Sequence, residues 1–597
     1  MNRIKILRNY MRGNLLRYIG AIIAISLAVI ASLIVPLVIR TTIDSVLLDG
    51  PMDQGNMIGR LFTDLGGRGF ILDNLWIPGV LIIGLTILRG TFEFFKVKWS
   101  AVASESIARK LRDRLFAHLQ ELSYDYHVSA ETGDIIQRCT SDVDMIRRFL
   151  GSQVVEIARS IGMVFMISFI MIRLYLPLAL VSLAIVPIIF IYSFVFFKKI
   201  QARFKTMDEA EGAMSTTIQE NLTGVRVVRA FGRQAFEIDK FEEKNTHLRD
   251  SSYNLTKLFA MYWSTSDMLC LAQTVTVLGT ATYMGVQGYI TTGTLFAFVF
   301  YMTMLLWPVR QLARILQDMS KAFVAVDRIQ EILEAPSEME NSGHSFDEIK
   351  GDIEFRNVSF AYEENRPILK NLSFKIKEGE TLAILGPTGA GKSTLVHLMA
   401  RLYDVTEGDI FIDGRNIKEF DKKHLRHHVG LILQEPFLFA KTIKDNIKIA
   451  HGDAGDACVE TAAKTAVIHD KILEFNEGYD TMVGERGVSL SGGQKQRMAI
   501  ARRVITEAPV IVFDDSLSAV DTETDAAIRH RLGHNNKGLT TVIISHRVAT
   551  LSEADRIMVL EDGEITQLGT HETLIKNEGL YKRIWTIQNA EASKEAI

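Results

Sequence analysis

The stretch that decides the fold of the C-terminal half is Thr381-Leu-Ala-Ile-Leu-Gly-Pro-Thr-Gly-Ala-Gly-Lys-Ser-Thr394. It begins with five residues typical of a short buried strand, and Lys392 starts a helical pattern. The spacing Gly-x-x-x-x-Gly-Lys-Ser from Gly386 to Ser393 is that of a phosphate-binding loop, in which backbone N–H groups surround an anion at a helix N-terminus. We therefore expect a nucleoside triphosphate here, with Lys392 on its β- and γ-phosphates and Ser393 on Mg²⁺. A glycine-rich strand–helix turn with a solvated lysine is the alternative.

The bulk composition indicates a chain that is part membrane and part soluble. Its 597 residues suggest two or more domains. A hydrophobic share of 48% with a mean hydropathy of +0.13 exceeds the soluble range, yet 23% of the residues are charged. The net charge of −3 gives no reason to expect nucleic acid as a partner. Three widely spaced cysteines predict neither a disulfide framework nor a metal site.

The N-terminal half has the pattern of a membrane domain, expected over residues 1–330. Residues 1–20 mix basic and apolar side chains and predict an amphipathic helix on a membrane surface. A secretory signal begins similarly, but the following apolar run is long enough to cross a bilayer, and no clear small-residue cleavage site follows it. Six spans are predicted, at about 18–39, 77–95, 155–174, 177–197, 259–285 and 289–312.

The segments between the spans alternate in length and charge. Residues 41–75 form an acidic outer loop, so the basic N-terminus is placed in the cytoplasm by the positive-inside rule. Residues 96–150 and 198–258 are charged and too long for ordinary connections, which predicts helices extending far beyond the bilayer. Turn-like breaks at 123–134 and 221–232 mark either the points that touch the soluble domain or simple kinks in surface helices.

Ionisable residues lie inside the predicted spans, where charge is costly. Arg89 and Glu93, like Glu156 and Arg159, have the spacing of pairs along one helix face, so structural pairing is expected. Asp267 is the better candidate for lining a cavity. The last span is rich in aromatic and methionine side chains, which indicates either adaptable binding of apolar ligands or ordinary packing.

The C-terminal half reads as a polar linker at 331–350, an α/β domain at 351–588 and a polar tail at 589–597. Polar motifs follow strands or open helices along this domain: Tyr362, Gln434, Leu490-Ser-Gly-Gly-Gln494, Asp514, Asp521 and His546. Taken alone, each has an ordinary interpretation as a core tyrosine, a turn, a helix cap or a packed histidine. Their order and spacing together favour one phosphate-binding domain.

With these motifs the chain resembles the ATP-binding cassette (ABC) transporters over nearly its whole length. Six spans followed by one cassette resemble an exporter-type half-transporter. The implied fold class is a membrane all-α domain, with six transmembrane helices and long cytoplasmic extensions, followed by an α/β phosphate-loop nucleotide-binding domain. In that family ATP lies between the phosphate loop of one cassette and the Leu-Ser-Gly-Gly-Gln of another. A second half-transporter chain is therefore the implied partner, and the breaks after Ser123 and near Gly224 match the family's coupling helices.

The resemblance also implies roles for individual residues, with ATP and Mg²⁺ as cofactors. Tyr362 would stack on adenine, and His546 would contact the γ-phosphate. Ser491 and Gly493 would contact the partner's ATP. The implied Mg²⁺ ligands are Ser393, Gln434 and Asp514, and the implied catalytic residues are Asp515, His546 and Gln434. The implied ATP-binding residues are Tyr362, Gly386, Pro387, Thr388, Gly389, Ala390, Gly391, Lys392, Ser393, Thr394, Ser491, Gly492, Gly493, Gln494 and Asp521.

Asp515 departs from the family pattern, in which the general base after the Mg²⁺ aspartate is normally a glutamate. Aspartate is one methylene shorter, so its carboxylate would lie roughly 1 Å too far from the attacking water, a misplacement that can cost about a hundredfold in rate, or roughly 2.7 kcal/mol of barrier. By the same resemblance, the unaltered Leu490–Gln494 motif would serve the opposite site. This combination resembles the degenerate-site subunit of heterodimeric bacterial multidrug exporters. Such subunits sometimes lack a histidine at the position of His546, whereas this chain retains it.

The leading hypothesis is a plasma-membrane exporter subunit, with its N-terminus and cassette cytoplasmic, that moves amphipathic or apolar small molecules such as drug-like compounds or lipids across the bilayer. One alternative is a regulatory subunit that binds ATP with negligible hydrolysis of its own. Another is a homodimeric lipid or peptide exporter, although the N-terminal segment is expected to be too short for a leader-peptidase domain. Import of metal chelates is also compatible with the architecture.

Overall fold

The computed structural model describes residues 3–52, 57–338, 343–346, 349–363, 366–484, 487, 490–535 and 538–595. The chain divides into two units. The first comprises Met1–Gln120 and Thr132–Ala335, and the second comprises Glu121–Glu131 and Pro336–Ile597. The short segment Glu121–Glu131 therefore lies between two parts of the first unit in the sequence, but its contacts place it in the second unit.

The described residues of the first unit form helices joined by short turns and loops. Its long helices form where the sequence carries apolar runs, continued by charged residues with helical propensity. Short π-helical turns occur at Thr42–Leu47, Arg138–Asp142 and Phe149–Gln153. The α-helices are Arg3–Tyr10, Leu15–Thr41, Met57–Asp64, Gly67–Asp73, Trp76–Leu119, Thr132–Gln137, Val143–Arg148, Val154–Leu174, Leu176–Leu183, Ile185–Thr223, Val225–Ala230, Gln234–Val286 and Thr292–Glu334.

Five helical segments among the described residues are long and apolar enough to cross a membrane. A sixth crossing results if the bent pair Gly67–Asp73 and Trp76–Leu119, which meet at 84°, is one span. The helices extend well beyond the apolar runs: Trp76–Leu119 has 44 residues and Gln234–Val286 has 53. At 1.5 Å per residue these lengths exceed the roughly 30 Å of a bilayer core.

Two expected boundaries differ from the structure. The helix Thr292–Glu334 continues four residues into the segment expected to be a linker from 331, because Ile329 and Ile332 are fully buried and hold its last turns. Ala335, with extended backbone, and the following Pro336 end it. The described part of the expected polar tail, 589–595, is helical within Leu580–Glu595, whereas 596–597 lie outside the described residues.

The intramembrane charges follow the expected pairing only in part. Arg159 Nη1 lies 2.8 Å from Glu156 Oε1, as the spacing predicts, and Lys96 adds a longer contact of 3.6 Å to the same carboxylate. The expected pair Arg89–Glu93 was wrong, since no ion pair joins these two side chains in the structure. Helical spacing places both on neighbouring turns, but each side chain is directed to a cavity shared with other helices. Asp267 pairs with the buried Arg310 at 2.7 Å.

The second unit contains two sheets. One is antiparallel with strand order β2-β1-β4-β5, built from β1 (Ile353–Ala361), β2 (Pro367–Ile376), β4 (Glu407–Ile412) and β5 (Arg415–Asn416). The other has the order β10-β9-β3-β8-β7-β6 and is parallel except for β10. Its strands are β3 (Thr381–Leu385), β6 (Val429–Ile432), β7 (Val510–Asp514), β8 (Thr540–Ile544), β9 (Arg556–Glu561) and β10 (Glu564–Gly569).

Helices cover the parallel sheet because its strands are apolar on both faces. All five residues of β7 are buried, for example, as expected of a central parallel strand. The α-helices of this unit are Tyr124–Ser129, Lys392–Met399, Lys422–His428, Ile443–Lys448, Asp456–Thr465, His469–Leu473, Gly492–Val504, Thr522–Asn535, Val548–Leu551, His571–Leu574 and Leu580–Glu595, with 3₁₀ turns at Ile417–Glu419 and Gly478–Asp480. The carboxyl ends of β3, β6, β7 and β8 meet at one edge of the sheet, where ligands of such folds bind.

Candidate nucleotide site

The phosphate loop connects β3 to the Lys392–Met399 helix. Gly389 and Gly391 have φ values of +86° and +94°, which residues with a side chain rarely adopt. A Cβ on Gly391 would lie 2.6 Å from Leu369 Cδ2, and one on Gly386 would collide with the Leu560 carbonyl oxygen. Glycine is therefore required where the loop folds over the helix N-terminus, the place where an anion is stabilised.

Lys392 lies in the centre of this loop. Its Nζ donates to the carbonyl oxygens of Gly386 and Pro387, each at 2.8 Å, and the residue is only 8% exposed. Burial lowers the pKa of the ammonium group, against the opposing influence of Asp515 and Asp514. A partly desolvated cation in a phosphate loop interacts strongly with phosphate oxygens, because the local dielectric constant is low.

Ser393 and Asp514 form the pair that fits a Mg²⁺ ion. The Ser393 hydroxyl donates to Asp514 Oδ1 at 2.9 Å, which joins the start of the helix to the end of β7. Asp514 is 5% exposed, and this burial raises its pKa, although the Ser393 hydrogen bond lowers it. A hydroxyl and a carboxylate side by side are the oxygen ligands that Mg²⁺ takes beside nucleotide phosphates.

Asp515 follows the end of β7 and turns the chain, with φ of +46°. Its backbone N–H donates to the Ile544 carbonyl oxygen at 3.2 Å, which ties this turn to the end of β8. The Gln434 amide donates to Asp515 Oδ2 at 3.2 Å. Burial raises the pKa of Asp515, His546 lowers it and Asp514 raises it further. The structure thus brings the expected Gln434, Asp514, Asp515 and His546 together at one edge.

Tyr362 also lines the site and is half exposed. Its hydroxyl forms a hydrogen bond of 3.1 Å with the Thr394 hydroxyl, and its ring packs edge-on against Phe360 and Tyr403. These contacts fix the ring, while 48% of the residue stays accessible. A held, accessible aromatic face beside a phosphate loop suits stacking on a purine.

These side chains enclose one cavity of about 340 Å³ in the second unit. Its polar groups include the helix N-terminus, an ammonium group and two carboxylates, which suits a nucleotide with its metal. Gly386, Pro387 and Ala390 belong to the same loop without lining the cavity. The lining residues are Tyr362, Ile368, Thr388, Gly389, Gly391, Lys392, Ser393, Thr394, Gln434, Asp514, Asp515, Ile544 and His546.

The Leu490–Gln494 motif does not line this cavity. Ser491 caps the Gly492–Val504 helix: Gln494 N–H donates to its hydroxyl at 3.4 Å, and Gln494 Oε1 accepts from the Ser491 N–H at 2.8 Å. Ser491 and Gly492 are exposed, whereas Gly493 and Gln494 are half-buried. The motif is therefore an ordered helix N-terminus that contributes nothing to its own chain's site.

Two residues that support the site were not predicted from the sequence. Gln496, 4% exposed, accepts from the Ala519 N–H at 3.1 Å and also contacts the Gln434 carbonyl oxygen. The sequence feature that could have identified Gln496 is its position on the same helix face as the buried Ile500, which places an amide in the interior. Arg547 donates to the carbonyl oxygens of Val520 and Ser518 at 2.6 and 2.8 Å.

Asp521 stands outside the cavity and begins the Thr522–Asn535 helix. Its Oδ1 accepts from the Thr524 N–H at 2.9 Å, and this backbone hydrogen bond lowers its pKa. Arg547, the residue after His546, donates hydrogen bonds to two carbonyl oxygens in the segment that immediately precedes Asp521. No sequence pattern distinguished Arg547 from other surface arginines, so only the fold shows that it joins this segment to the end of β8.

Comparison with known proteins identifies both units. The ABC transporter transmembrane region matches residues 18–309, and the ABC transporter domain matches residues 369–518. The uncharacterized ABC transporter ATP-binding protein YknU of Bacillus subtilis (strain 168) is 33% identical over 575 residues, which cover 96% of this chain and 95% of that protein. YgaD of the same strain, named as a candidate multidrug export ATP-binding/permease protein, is 33% identical over 564 residues, 93% of this chain and 94% of that protein.

A Staphylococcus aureus protein with the same description as YgaD is 33% identical over 560 residues, 93% of this chain and 95% of that protein. Among solved structures, a bacterial Atm1-family ABC exporter with ATP bound superimposes with a TM-score of 0.80 at 26% identity, covering 96% of this chain and 99% of that one. The predicted fold class, a helical membrane domain followed by an α/β nucleotide-binding domain, is confirmed. The chain belongs to the ABC transporters and, with one membrane domain and one ATP-binding cassette, is an exporter-type half-transporter.

Proposed function

We propose that this chain is one subunit of an ATP-driven exporter in the plasma membrane, which moves amphipathic or apolar small molecules out of the cytoplasm. Multidrug export is the function in the names of YgaD and its Staphylococcus relative, which supports this class of substrate. The basic N-terminal segment supports a cytoplasmic N-terminus, and the cassette would lie on the same side to meet cellular ATP.

The proposed assembly is a heterodimer with two unequal ATP sites. The exposed N-terminus of the Gly492–Val504 helix supports a second chain, because it is ordered, anion-compatible and remote from its own cavity. Within that assembly Ser491, Gly492, Gly493 and Gln494 would bind ATP held by the partner's phosphate loop. The residues around Lys392 would bind this chain's own ATP and Mg²⁺.

We infer slow ATP hydrolysis at the chain's own site from the identity of Asp515. The surrounding groups are in place: Gln434 contacts its carboxylate, Ser393 contacts Asp514 and Lys392 is buried in the loop. The general base is therefore the group that differs from the family pattern, through a side chain one methylene shorter than glutamate. A shortfall of about 1 Å at the base costs about a hundredfold in rate. ATP binding, which depends on the other groups, would be retained.

The test is the substitution Asp515→Glu in the purified complex, with ATP hydrolysis as the readout. To isolate this site, the partner's own catalytic carboxylate is replaced by its amide. We expect Asp515→Glu to raise turnover by at least tenfold, since the added methylene restores the reach of the base. Asp515→Asn, the matched control without a charge, should reduce turnover below wild type. Wild-type hydrolysis at an ordinary exporter rate, unchanged by Asp515→Glu, would refute the slow-site proposal.

A further inference from the structure

A cavity of about 210 Å³ lies among the membrane-spanning helices of the first unit. One part of its wall is apolar, with Val29, Met163 and Met304. The other part carries charge, which is unusual in a membrane segment and marks a candidate functional site. The charged or polar lining residues are Ser32, Arg89, Glu93, Glu156, Arg159, Ser160, Thr303 and Gln311.

Some of the charges in this cavity have no partner among the described residues. Glu156 is held by Arg159 at 2.8 Å and by Lys96 at 3.6 Å. Neither Arg89 nor Glu93 has an ion-pair or hydrogen-bond partner in the part of the chain that the structure describes. The cavity therefore presents one guanidinium and one carboxylate, on successive turns of the Trp76–Leu119 helix, that remain available to a ligand.

Gln311, which lines the cavity from the Thr292–Glu334 helix, adds an independent observation. It is 9% exposed, and its buried Oε1 atom has no hydrogen-bond partner among the described residues. Buried acceptors of this kind are rare, because leaving one unsatisfied costs free energy. A ligand with an N–H group would satisfy it, whereas a quaternary ammonium group, which has no N–H, would not.

The size and shape of the cavity limit the ligand. Drug-sized pockets measure about 300 to 1,000 Å³, so 210 Å³ suits a small polar head better than a whole drug-like molecule. Ile83, Ile87 and Leu88, on the helix that carries Arg89, are exposed in this chain. They provide an apolar surface along which a hydrocarbon tail could extend from the cavity.

We propose that this cavity binds a dipolar head group, with its anionic oxygens on Arg89 and its N–H-bearing ammonium group on Glu93 and the Gln311 carbonyl oxygen. The inference rests on the proposed export function and narrows its substrate class to zwitterionic amphiphiles with a primary ammonium group. A phosphoethanolamine-type head has this chemistry. A water-soluble zwitterion without a tail has the same head chemistry, so the two sources must be separated by experiment.

Trp307 supplies a direct readout, because it lines the cavity and is one of five tryptophans in the chain. The full-length complex, in a neutral maltoside detergent and without ATP, is titrated with lysophosphatidylethanolamine while tryptophan emission is followed. Lysophosphatidylcholine, which lacks N–H groups, and lysophosphatidylglycerol, which lacks the cation, are the matched probes. We expect at least tenfold tighter binding of the ethanolamine lipid, with the emission change lost in Trp307→Phe.

Variants assign the contacts. Arg89→Gln and Glu93→Gln should each weaken binding of the ethanolamine lipid by at least tenfold. Gln311→Met, which keeps the volume but removes the acceptor, should reduce the preference for ethanolamine over choline. Arg173→Gln is the control, since Arg173 lies over the Phe169 ring at 5.6 Å and does not line the cavity. Unchanged ATP binding by each variant shows that the protein is folded.

The outcomes separate the inference from the export function. Equal binding of the three lysolipids, or binding unaffected by Arg89→Gln and Glu93→Gln, overturns the inference even if drug transport is observed. Selective binding of the ethanolamine lipid without ATP-dependent transport supports the inference and counts against the proposed export function. Glycerophosphoethanolamine binding as tightly as the lysolipid supports the head-group chemistry and assigns a water-soluble source. Weak binding of glycerophosphoethanolamine identifies the lipid, rather than a water-soluble compound, as the source of the head group.

Discussion

Asp514 and Asp515 are adjacent in the chain but occupy different environments because β7 ends between them. Asp514 belongs to the buried strand and meets Ser393, whereas Asp515 adopts a left-handed backbone and meets Gln434. Aspartate tolerates this backbone better than most side chains. The turn therefore separates a carboxylate suited to Mg²⁺ from a second carboxylate that lines the cavity beside Gln434.

The pH dependence of hydrolysis at this chain's own site should follow the pKa of Asp515. Burial raises this pKa, and His546 lowers it. A base acts only when ionised, so activity should fall as pH drops through a value above the usual aspartate pKa of about 3.9. His546→Asn removes the opposing charge and should move the acid limb to higher pH. The acid limb of the wild type and its shift in His546→Asn are measured from pH–rate profiles of the complex in which the partner's site is inactivated. An acid limb at or below the ordinary value, unmoved by His546→Asn, would contradict this assignment.

Gly391→Ala should abolish high-affinity ATP binding. Its φ of +94° is strained for alanine, and the new Cβ would lie 2.6 Å from Leu369 Cδ2, so the loop must shift. We expect at least a tenfold loss of affinity, about 1.4 kcal/mol or more, measured by titration with a fluorescent ATP analogue. Gly452→Ala is the control, because a Cβ at Gly452 meets nothing within 4 Å. Equal affinities for the two variants would show that the loop tolerates a side chain.

At the scale of elements, local patterns predicted those parts of the site that lie within a few residues of each other. The phosphate loop lies between β3 and the Lys392–Met399 helix because its strand, glycines and helix start are contiguous. The Arg89–Glu93 pair was wrongly predicted because spacing says which residues share a helix face but not which neighbouring helix each side chain meets. Gln496 and Arg547 were missed for the same reason, since their contacts lie 23 to 62 and 27 to 29 residues away, respectively.

The segment after the last long helix is held to the cassette within the second unit by Glu338. Its carboxylate accepts from Arg426 at 2.7 and 3.1 Å and lies 3.6 Å from Lys422. Burial alone would raise its pKa, but these cations lower it overall. This ion-pair stabilisation is therefore fully present above the unfolded-state pKa of about 4.3 and is lost as pH falls through the lower folded-state pKa.

Glu338→Gln should reduce the stability of this unit by about 1 to 2 kcal/mol, below the upper range for charged hydrogen bonds because Arg426 remains partly exposed. Thermal unfolding of the full chain in detergent at neutral pH measures the loss as a lower Tm. The difference from wild type should shrink in acid, where Glu338 of the wild type is protonated. Glu363→Gln is the matched control, since its partner Arg366 is 80% exposed. A difference that persists at low pH would show that packing, rather than the ion pair, is responsible.

At the scale of the whole molecule, the chain contains one phosphate loop and one Leu490–Gln494 motif, and the motif does not line the cavity at the loop. In the proposed dimer the two would serve different sites. The cavity at the phosphate loop is lined by groups that would contact the base, the phosphates and the metal, while the N-terminus of the Gly492–Val504 helix is exposed elsewhere. If the partner were a second copy of this chain, both sites of the dimer would have Asp515 as their base. Under the slow-site proposal, rapid hydrolysis would require a partner with a glutamate at this position.

Tagging this chain and extracting it gently from its native membrane should therefore recover a second half-transporter in near-equal amount, with Glu after its Mg²⁺ aspartate. Ser491→Arg in this chain should then reduce the ATPase activity of the complex at least tenfold, because the bulky cation would occupy the place of the partner's ATP. The same substitution should leave nucleotide binding at Lys392 intact. Mass spectrometry of the complex and ATPase assays on the purified pair test both statements. Recovery of this chain alone, as a dimer that hydrolyses ATP at an ordinary exporter rate, would mean that Asp515 is an adequate base and that the two sites are equivalent.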